Sequence, residues 1–367
     1  MKKYIHNLIA WKLKKLVKWL LISSHPLVIG ITGSAGKSTT KEAVYEVLNT
    51  SLQYKGKVKK SVGNLNTDIG LPLAVLGFNS SPRFYEWPFV MLLSLFRVLI
   101  PQLNPLSRIS ILVLEYAADK PGDIKYLTEI IKPDIAIITV IGPAHLVNYQ
   151  SINQIAEEKM QLALSLDKSG IALLNKQDPH LKQYVEKIKC EIKYFDASPH
   201  QTTMMIAKKI GEIFEINLKI VEKVLKNIKP MDHRLNLIKI DSFYILDDCY
   251  NANPLSTKMA LEELSVKAKE VGATRKIAIL GDMLELGQDS AKYHHEIGEL
   301  AKKTADIIIT IGEESKQIDN SHWFKDQYAA GPFLLNMITK GDIILVKASR
   351  KIGLEKLVDR LMSIKFH

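Results

Sequence analysis

Gly33, Gly36, Lys37 and Ser38 hold the spacing that phosphate chemistry needs. They lie in the run Ile29-Gly30-Ile31-Thr32-Gly33-Ser34-Ala35-Gly36-Lys37-Ser38-Thr39-Thr40. An apolar stretch enters a turn of small residues there, and a helix-compatible segment, Lys41 to Leu48, leaves it. Small residues let backbone N–H groups converge on phosphate oxygens, and a helix start adds its positive dipole end. Lys37 can reach terminal phosphates, and the Ser38 hydroxyl can ligate Mg²⁺. The strict phosphate-loop pattern has a glycine where Ile31 stands, so the match is to Gly-x-x-Gly-Lys-Ser alone. This context points to ATP or GTP, without saying what the energy drives.

Further polar residues fall at the ends of apolar runs. Glu115 closes Ile111-Leu112-Val113-Leu114, and a phosphate loop normally needs an acidic Mg²⁺ partner on a neighbouring strand. His145 follows the next apolar run in Gly142-Pro143-Ala144-His145-Leu146, and by itself reads as a surface or capping histidine. Lys159 lies on a predicted helix and by itself reads as a solvated lysine. Asp247-Asp248-Cys249-Tyr250-Asn251-Ala252-Asn253-Pro254 and Gly281-Asp282-Met283-Leu284-Glu285-Leu286-Gly287 crowd polar groups into two strand–helix turns. Each alone is compatible with Asx-turn and capping chemistry, while together they suggest a site at the carboxyl edges of adjacent strands.

The elements that position these residues alternate as in an α/β chain. Strands are predicted at 27–32, 111–115, 135–140 and 171–174, with two helices between 202 and 229. A second rhythm places strands at 243–246, 276–280, 307–311 and 343–346, with helices near 256–270, 290–303 and 352–363. The expected architecture is a central P-loop ATPase-type parallel sheet over 27–230, then a smaller Rossmann-like C-terminal domain over 231–367. A basic amphipathic helix over 1–26 precedes both.

The 367 residues, 47% apolar and 24% charged, are ordinary globular composition and long enough for two cores. Two distant cysteines, Cys190 and Cys249, fit a reducing, cytoplasmic setting, and no histidine spacing supports zinc. The net charge of +11 is uneven. Residues 1–22 carry Lys2, Lys3, Lys12, Lys14, Lys15 and Lys18, with no acidic residue. Ile5, Leu8, Ile9, Leu13, Leu16, Val17 and Leu20 recur at helical spacing beside Trp11 and Trp19. Such a helix either lies on an anionic membrane surface, peripheral at its inner face, or packs on the domain behind it. Phe84 to Ile100 reads as a buried hairpin element or a second membrane-contacting patch, too short and interrupted to span. Nucleic acid is not expected, because the lysines gather on an amphipathic helix rather than along an aromatic-laced groove.

These residues together resemble the Mur ligase family, and within it the ligases that add D-alanyl-D-alanine to a muramoyl-tripeptide. The resemblance covers roughly 27–360. It rests on Thr32 to Thr39, Asn66-Thr67-Asp68-Ile69-Gly70-Leu71-Pro72, Glu115 with Pro121-Gly122-Asp123-Ile124, Ala144-His145-Leu146, Lys159, Arg234, Asp247 to Pro254, Gly281 to Gly287, and Val346-Lys347-Ala348-Ser349-Arg350. It implies transfer of the ATP γ-phosphoryl group to a carboxylate, attack of an amine on the acyl phosphate, and release of ADP and phosphate. Catalytic roles would fall to Lys37, Glu115, His145, Lys159 and Arg234. Nucleotide contacts would come from Gly33, Ser34, Ala35, Gly36, Lys37, Ser38, Thr39, Asn66, Arg234, Asp248, Tyr250 and Asn251. Ser38 and Glu115 would hold one Mg²⁺, and His145 with a carbamylated Lys159 a second.

Three departures from the family pattern qualify the acceptor. Only about 26 residues stand before the phosphate loop, where the family carries a uridine-nucleotide-binding domain. The stretch from Asn175 to His200 is short, and the adenine-contacting element is degenerate, with Gln201 after His200 and Met204 at an asparagine position. A separate uridine-binding subunit, or a different and possibly lipid-linked acid and amine, are the expected ways of meeting the first. A degenerate nucleotide-binding membrane module is the remaining alternative.

Overall fold

Buried β-branched runs become the strands of two sheets in the computed structural model, which describes residues 2–63, 65–228 and 231–363. The predicted boundary at Pro230 falls outside the described residues. The chain forms two compact units, Met1–Ile141 with Ser151–Ile228, and Gly142–Gln150 with Lys229–His367.

The first unit opens with α1 (Lys2–Ser24), β1 (Leu27–Thr32), α2 (Lys37–Thr50), β2 (Val58–Lys60), α3 (Gly70–Val75) and α4 (Trp87–Leu99). It continues with β3 (Ile111–Glu115), α5 (Asp123–Ile130), β4 (Ile135–Ile138), α6 (Ile152–Leu164), β5 (Ile171–Asn175), β6 (Glu191–Phe195), α7 (Thr202–Ile213) and α8 (Leu218–Asn227). The sheet order is β2-β3-β1-β4-β5-β6, with every pairing parallel. Crossovers run to one side of β1 for β3 and to the other for β4, so the loop after β1 lies at the topological switch point. Side chains alternate between two layers. Leu112, Leu114, Ala136 and Ile138 face one layer, which α1 helps to cover with Leu13, Val17 and Leu20. Ile29, Ile31, Val113 and Ile137 face the other, against Val44 and Leu48 of α2 and Ile206 of α7.

The second unit holds β7 (Asn236–Ile240), β8 (Phe243–Asp247), α9 (Pro254–Val271), β9 (Arg275–Gly281) and α10 (Ser290–Thr304). After these come β10 (Ile307–Ile311), β11 (Trp323–Phe324), α11 (Gln327–Met337), β12 (Asp342–Lys347) and α12 (Glu355–Met362). Its order is β11-β10-β9-β12-β8-β7, antiparallel only between β7 and β8.

Several local expectations are revised. The 84–100 segment is no hairpin: it contains α4, of which only Val90 and Ser94 are buried. Helix α1 does pack on the first unit, clamped by His6 to Asp68 at 2.6 Å and Lys14 to Glu129 at 2.9 Å. Residues 142–150, predicted inside the central domain, pack with the second unit.

Candidate active site

The turn after β1 is built around close approaches that only glycine permits. Gly33 has φ of 151°, and a Cβ there would meet Thr139 Oγ1 at 2.0 Å. That hydroxyl donates to the Ala35 carbonyl at 2.6 Å, while the Ser34 N–H donates to the Val140 carbonyl at 2.7 Å. The end of β4 thus holds the loop open. Gly36, at φ 76°, turns the chain into α2, whose first turn has no side-chain cap. A helix start without a side-chain cap at this turn is compatible with the anion-binding role expected from the sequence. Lys37 Nζ folds back onto the Gly33 carbonyl at 2.8 Å. Ile31 replaces the pattern's glycine because it is still a strand residue, fully buried and paired with Glu115.

Parallel pairing of β1 with β3 brings Glu115 beside the loop. Ser38 Oγ donates to Glu115 Oε2 at 2.8 Å, and Asn66 Nδ2 donates to Oε1 at 3.0 Å. Both carboxylate oxygens are therefore oriented, although the side chain is only 3% exposed. This hydroxyl–carboxylate pair is a hard, all-oxygen donor set of the kind Mg²⁺ takes.

Lys159 is positioned by its neighbour on α6. Glu158 accepts the Gly122 and Ile124 N–H groups at 2.7 and 2.6 Å, capping α5 and fixing the rotation of α6. Lys159 then points inward and donates to the Ala118 carbonyl at 3.0 Å. Burial, aided by the positive charge of Lys37, pushes its ammonium down to about 7. The solvated lysine that the bare sequence suggests is thus a buried one.

In the second unit, His145 Nδ1 meets Glu285 Oε2 at 2.7 Å, and the Val147 N–H donates to the Glu285 carbonyl at 3.1 Å. Both His145 and Glu285 lie in the left-handed region, at φ 55° and 66°. That conformation costs a non-glycine residue roughly 1–2 kcal/mol, so the contact is held by the surrounding turn. The Tyr250 ring carries two guanidinium groups, Arg234 at 4.0 Å and Arg350 at 5.0 Å from its centroid. Arg350 also donates to the Tyr250 hydroxyl at 3.0 Å, and its backbone N–H reaches Asn251 Oδ1 at 3.4 Å.

Models of the Mur ligase middle domain match residues 31–84 and 98–237, and those of the Mur ligase glutamate ligase domain match 233–350. The chain belongs to the Mur ligase family. It is 30% identical, over 95% of its length and 79% of the relative's, to the UDP-N-acetylmuramoyl-tripeptide–D-alanyl-D-alanine ligase of Bacillus subtilis. The enzyme of that name from Buchnera aphidicola is 28% identical over 95% of this chain and 78% of its own. Among solved structures, the MurF ligase of Thermotoga maritima in complex with ADP superposes with a TM-score of 0.79 at 25% identity. That match covers 96% of this chain and 83% of that one.

In this Mur ligase some candidates also make structural contacts that the sequence did not suggest. Asp248, expected at the nucleotide, is a side chain only 13% exposed that pairs with buried Lys347 at 2.5 Å and accepts the Leu235 N–H at 3.1 Å. Burial raises its carboxyl, Lys347 opposes that, and the pair organises the turn from within. Lys347 donates in addition to the Asn251 carbonyl at 2.8 Å, which presents Tyr250 and Asn251 at the turn's rim. Glu285, Lys347 and Arg350 lie within the sequence motifs, which by themselves assign them no role. Their partners lie too far along the chain for local spacing to reveal. Asn253 is a helix cap, accepting the Ser256 N–H at 2.8 Å ahead of Pro254.

His233, Asp247 and Cys249 cluster with ligand atoms within 4.8 Å of one another. Asp247 Oδ2 and Cys249 Sγ both approach the same ring nitrogen, His233 Nδ1, at 2.7 and 3.5 Å. A nucleophile–base–orienter relay needs both ring nitrogens, and burial with Asp247 raises the thiol far above its ordinary value. The cluster therefore pins the start of β7 to the end of β8.

The Gly281–Gly287 turn is held by His294, a fully buried side chain. Its Nε2 accepts the Met283 N–H at 3.0 Å and its Nδ1 donates to the Ser290 carbonyl at 2.8 Å, an arrangement open only to the neutral ring. Burial accordingly lowers its pKa from 6.5. The unfolded chain takes up that proton first, so the stabilisation is complete above pH 6.5 and is lost as pH falls below it. Thermal melts across this window should show the loss, and His294→Gln should remove that pH-dependent component. Equal slopes in the two proteins would refute the assignment.

Proposed function

We propose that the chain is an ATP-dependent ligase of peptidoglycan precursor synthesis, joining D-alanyl-D-alanine to the terminal carboxylate of a muramoyl-tripeptide. The Ser38–Glu115–Asn66 constellation beside Lys37 carries this reading, set in a chain that matches such ligases along almost its whole length. A peptide carboxylate oxygen bonds to the γ-phosphorus while the bridging oxygen leaves with ADP. The amine nitrogen of D-alanyl-D-alanine then bonds to the acyl carbon, phosphate departs, and the amine proton is lost.

Lys37 and the loop N–H groups offset the charge of the transferring phosphoryl group. Ser38 and Glu115 would hold a Mg²⁺ that neutralises phosphate oxygens, and Asn66 keeps the carboxylate turned toward it. Lys159 fits the carbamate that the family resemblance implies. A buried lysine with its ammonium lowered to about 7 presents the neutral amine that adds to CO₂, and the product is a carboxylate. The family resemblance would give this carbamate a Mg²⁺-binding role, and His145 of the second unit another. Arg234, Tyr250 and Asn251 would form the nucleotide-facing rim of the second unit. We also take the enzyme to work at a membrane surface.

The test is phosphate release with ATP, Mg²⁺ and UDP-muramoyl-tripeptide, comparing D-alanyl-D-alanine with other amines. Release should require the acceptor and favour D-alanyl-D-alanine by about 10-fold or more. Absence of release with every acceptor and amine would leave a nucleotide-binding module that has lost ligation.

A further inference from the structure

Helix α1 is apolar on two opposite sides. Ala10, Leu13, Val17 and Leu20 form the row buried against the first unit. On the other side Leu8, Trp11, Trp19 and Ile22 form a second row, each at least half exposed. Spacings of three, eight and three residues keep this second row within about a quarter of the helix circumference. Lys12, Lys15 and Lys18 are exposed among these side chains, and the Lys15 ammonium sits 3.9 Å over the Trp11 ring. Lys14, by contrast, is turned back to Glu129.

Helix α4 packs beside α1 and repeats the feature without the charges. Phe89, Leu92, Phe96 and Leu99 are exposed on the side opposite Val90 and Ser94. The single charged residue of α4, Arg97, turns inward and donates to the Leu76 carbonyl at 2.6 Å. Two adjacent helices thus hold large apolar side chains in water, which marks an interaction surface rather than scattered exposure. Among the described residues no helix is long and apolar enough to cross a membrane.

We propose that the outward rows of α1 and α4 are a docking surface for a lipid bilayer carrying anionic headgroups, with both helices lying in the interface. This rests on the reading that the enzyme works at a membrane, and adds the surface and the lipid chemistry. Tryptophans suit the headgroup level, leucines and phenylalanines the acyl boundary, and lysines the anionic phosphates. A second copy of the chain fits less well. A two-fold contact would set the lysine row against its own image, and residues 1–24 contain no acidic side chain to answer it. Docking would hold the ligase where a lipid-linked acceptor is presented.

The full chain is mixed with vesicles of phosphatidylcholine, with and without phosphatidylglycerol, and bound protein is measured by sedimentation and tryptophan fluorescence. Binding to the anionic vesicles should be at least about 10-fold tighter and weaken with salt. Replacing Lys12, Lys15 and Lys18 by Gln should lower affinity roughly fivefold for each lysine. Phe89→Ser with Phe96→Ser should abolish binding to both vesicle types. Phosphate release from soluble substrates should persist in these variants, which keeps a failure of docking distinct from a failure of ligation. Equal binding to both vesicles would overturn the anionic preference alone. No binding to either, or a dimer that the same substitutions dissolve, would overturn the membrane surface altogether.

Discussion

Lys37→Ala should lower the turnover of ATP-dependent phosphate release by about 10²–10³-fold while leaving the fold intact. The ammonium is tethered to the Gly33 carbonyl across the loop, so it is held at the mouth of the cradle that Gly33, Ser34, Ala35 and Gly36 build. Charge develops on the phosphoryl oxygens as the group transfers, and an ammonium held in place by the loop stabilises that state more than the ground state. The loss should therefore fall on kcat more than on the KM for ATP. Lys37→Arg should not restore the rate, because a planar fork cannot occupy the position of a compact ammonium. The loop's shape depends on Thr139, Val140 and the glycines rather than on this side chain, so thermal stability should change by less than about 1 kcal/mol. Wild-type kcat in a folded Lys37→Ala protein would remove the phosphate loop from the mechanism.

The second large effect is expected at Glu115. Glu115→Gln keeps the size of a buried side chain and lets an amide oxygen go on accepting from Asn66. Its NH₂ would then face Ser38 Oγ, which can turn its own proton away and accept. Packing and stability are thus largely preserved, while the negative charge facing the loop is removed. Phosphate release should fall by about 10²-fold or more, and half-maximal activity should require markedly more Mg²⁺. A Mg²⁺ titration of release, run beside a thermal melt, separates these outcomes. An unchanged Mg²⁺ requirement would show that Glu115 is only the buried partner of Ser38 and Asn66. Asn66→Ala, which unlocks one carboxylate oxygen, should shift the requirement in the same direction by less.

The central strands were legible because they are buried on both faces and read as unbroken apolar runs, as Ile111 to Leu114 does. The short edge strands were not. Val58–Lys60 and Glu191–Phe195 lie at opposite ends of the first sheet and mix Lys, Glu and Tyr with few buried positions. Asn236–Ile240, at the edge of the second sheet, is equally half-exposed. Helix α11 contains Gly331-Pro332, a pair that reads as a break, yet burial of Ala330 and Leu334 carries the helix through it. At the site, the Ser38–Glu115 contact could be anticipated because an acidic strand end is the usual partner of a phosphate loop. The pairings of His145 with Glu285, Asp248 with Lys347, and Tyr250 with Arg350 join residues some 100 positions or more apart. No periodicity encodes such a pair.

What the sequence determined by itself was the phosphate-loop turn, because its constraints are local: a strand, residues small enough for close approach, and a helix start. It likewise determined the family and the strand-end position of Glu115. Tertiary structure alone decided the direction of side chains whose alternatives are equally good locally. Lys159 is buried rather than solvated because Glu158 clamps α6 to α5, and Asp248 faces Lys347 because β12 lies beside β8. Helix α1 is the clearest case. With apolar residues on both sides, its periodicity is satisfied by either row facing the core, and only its packing on the first unit leaves Leu8, Trp11, Trp19 and Ile22 outside.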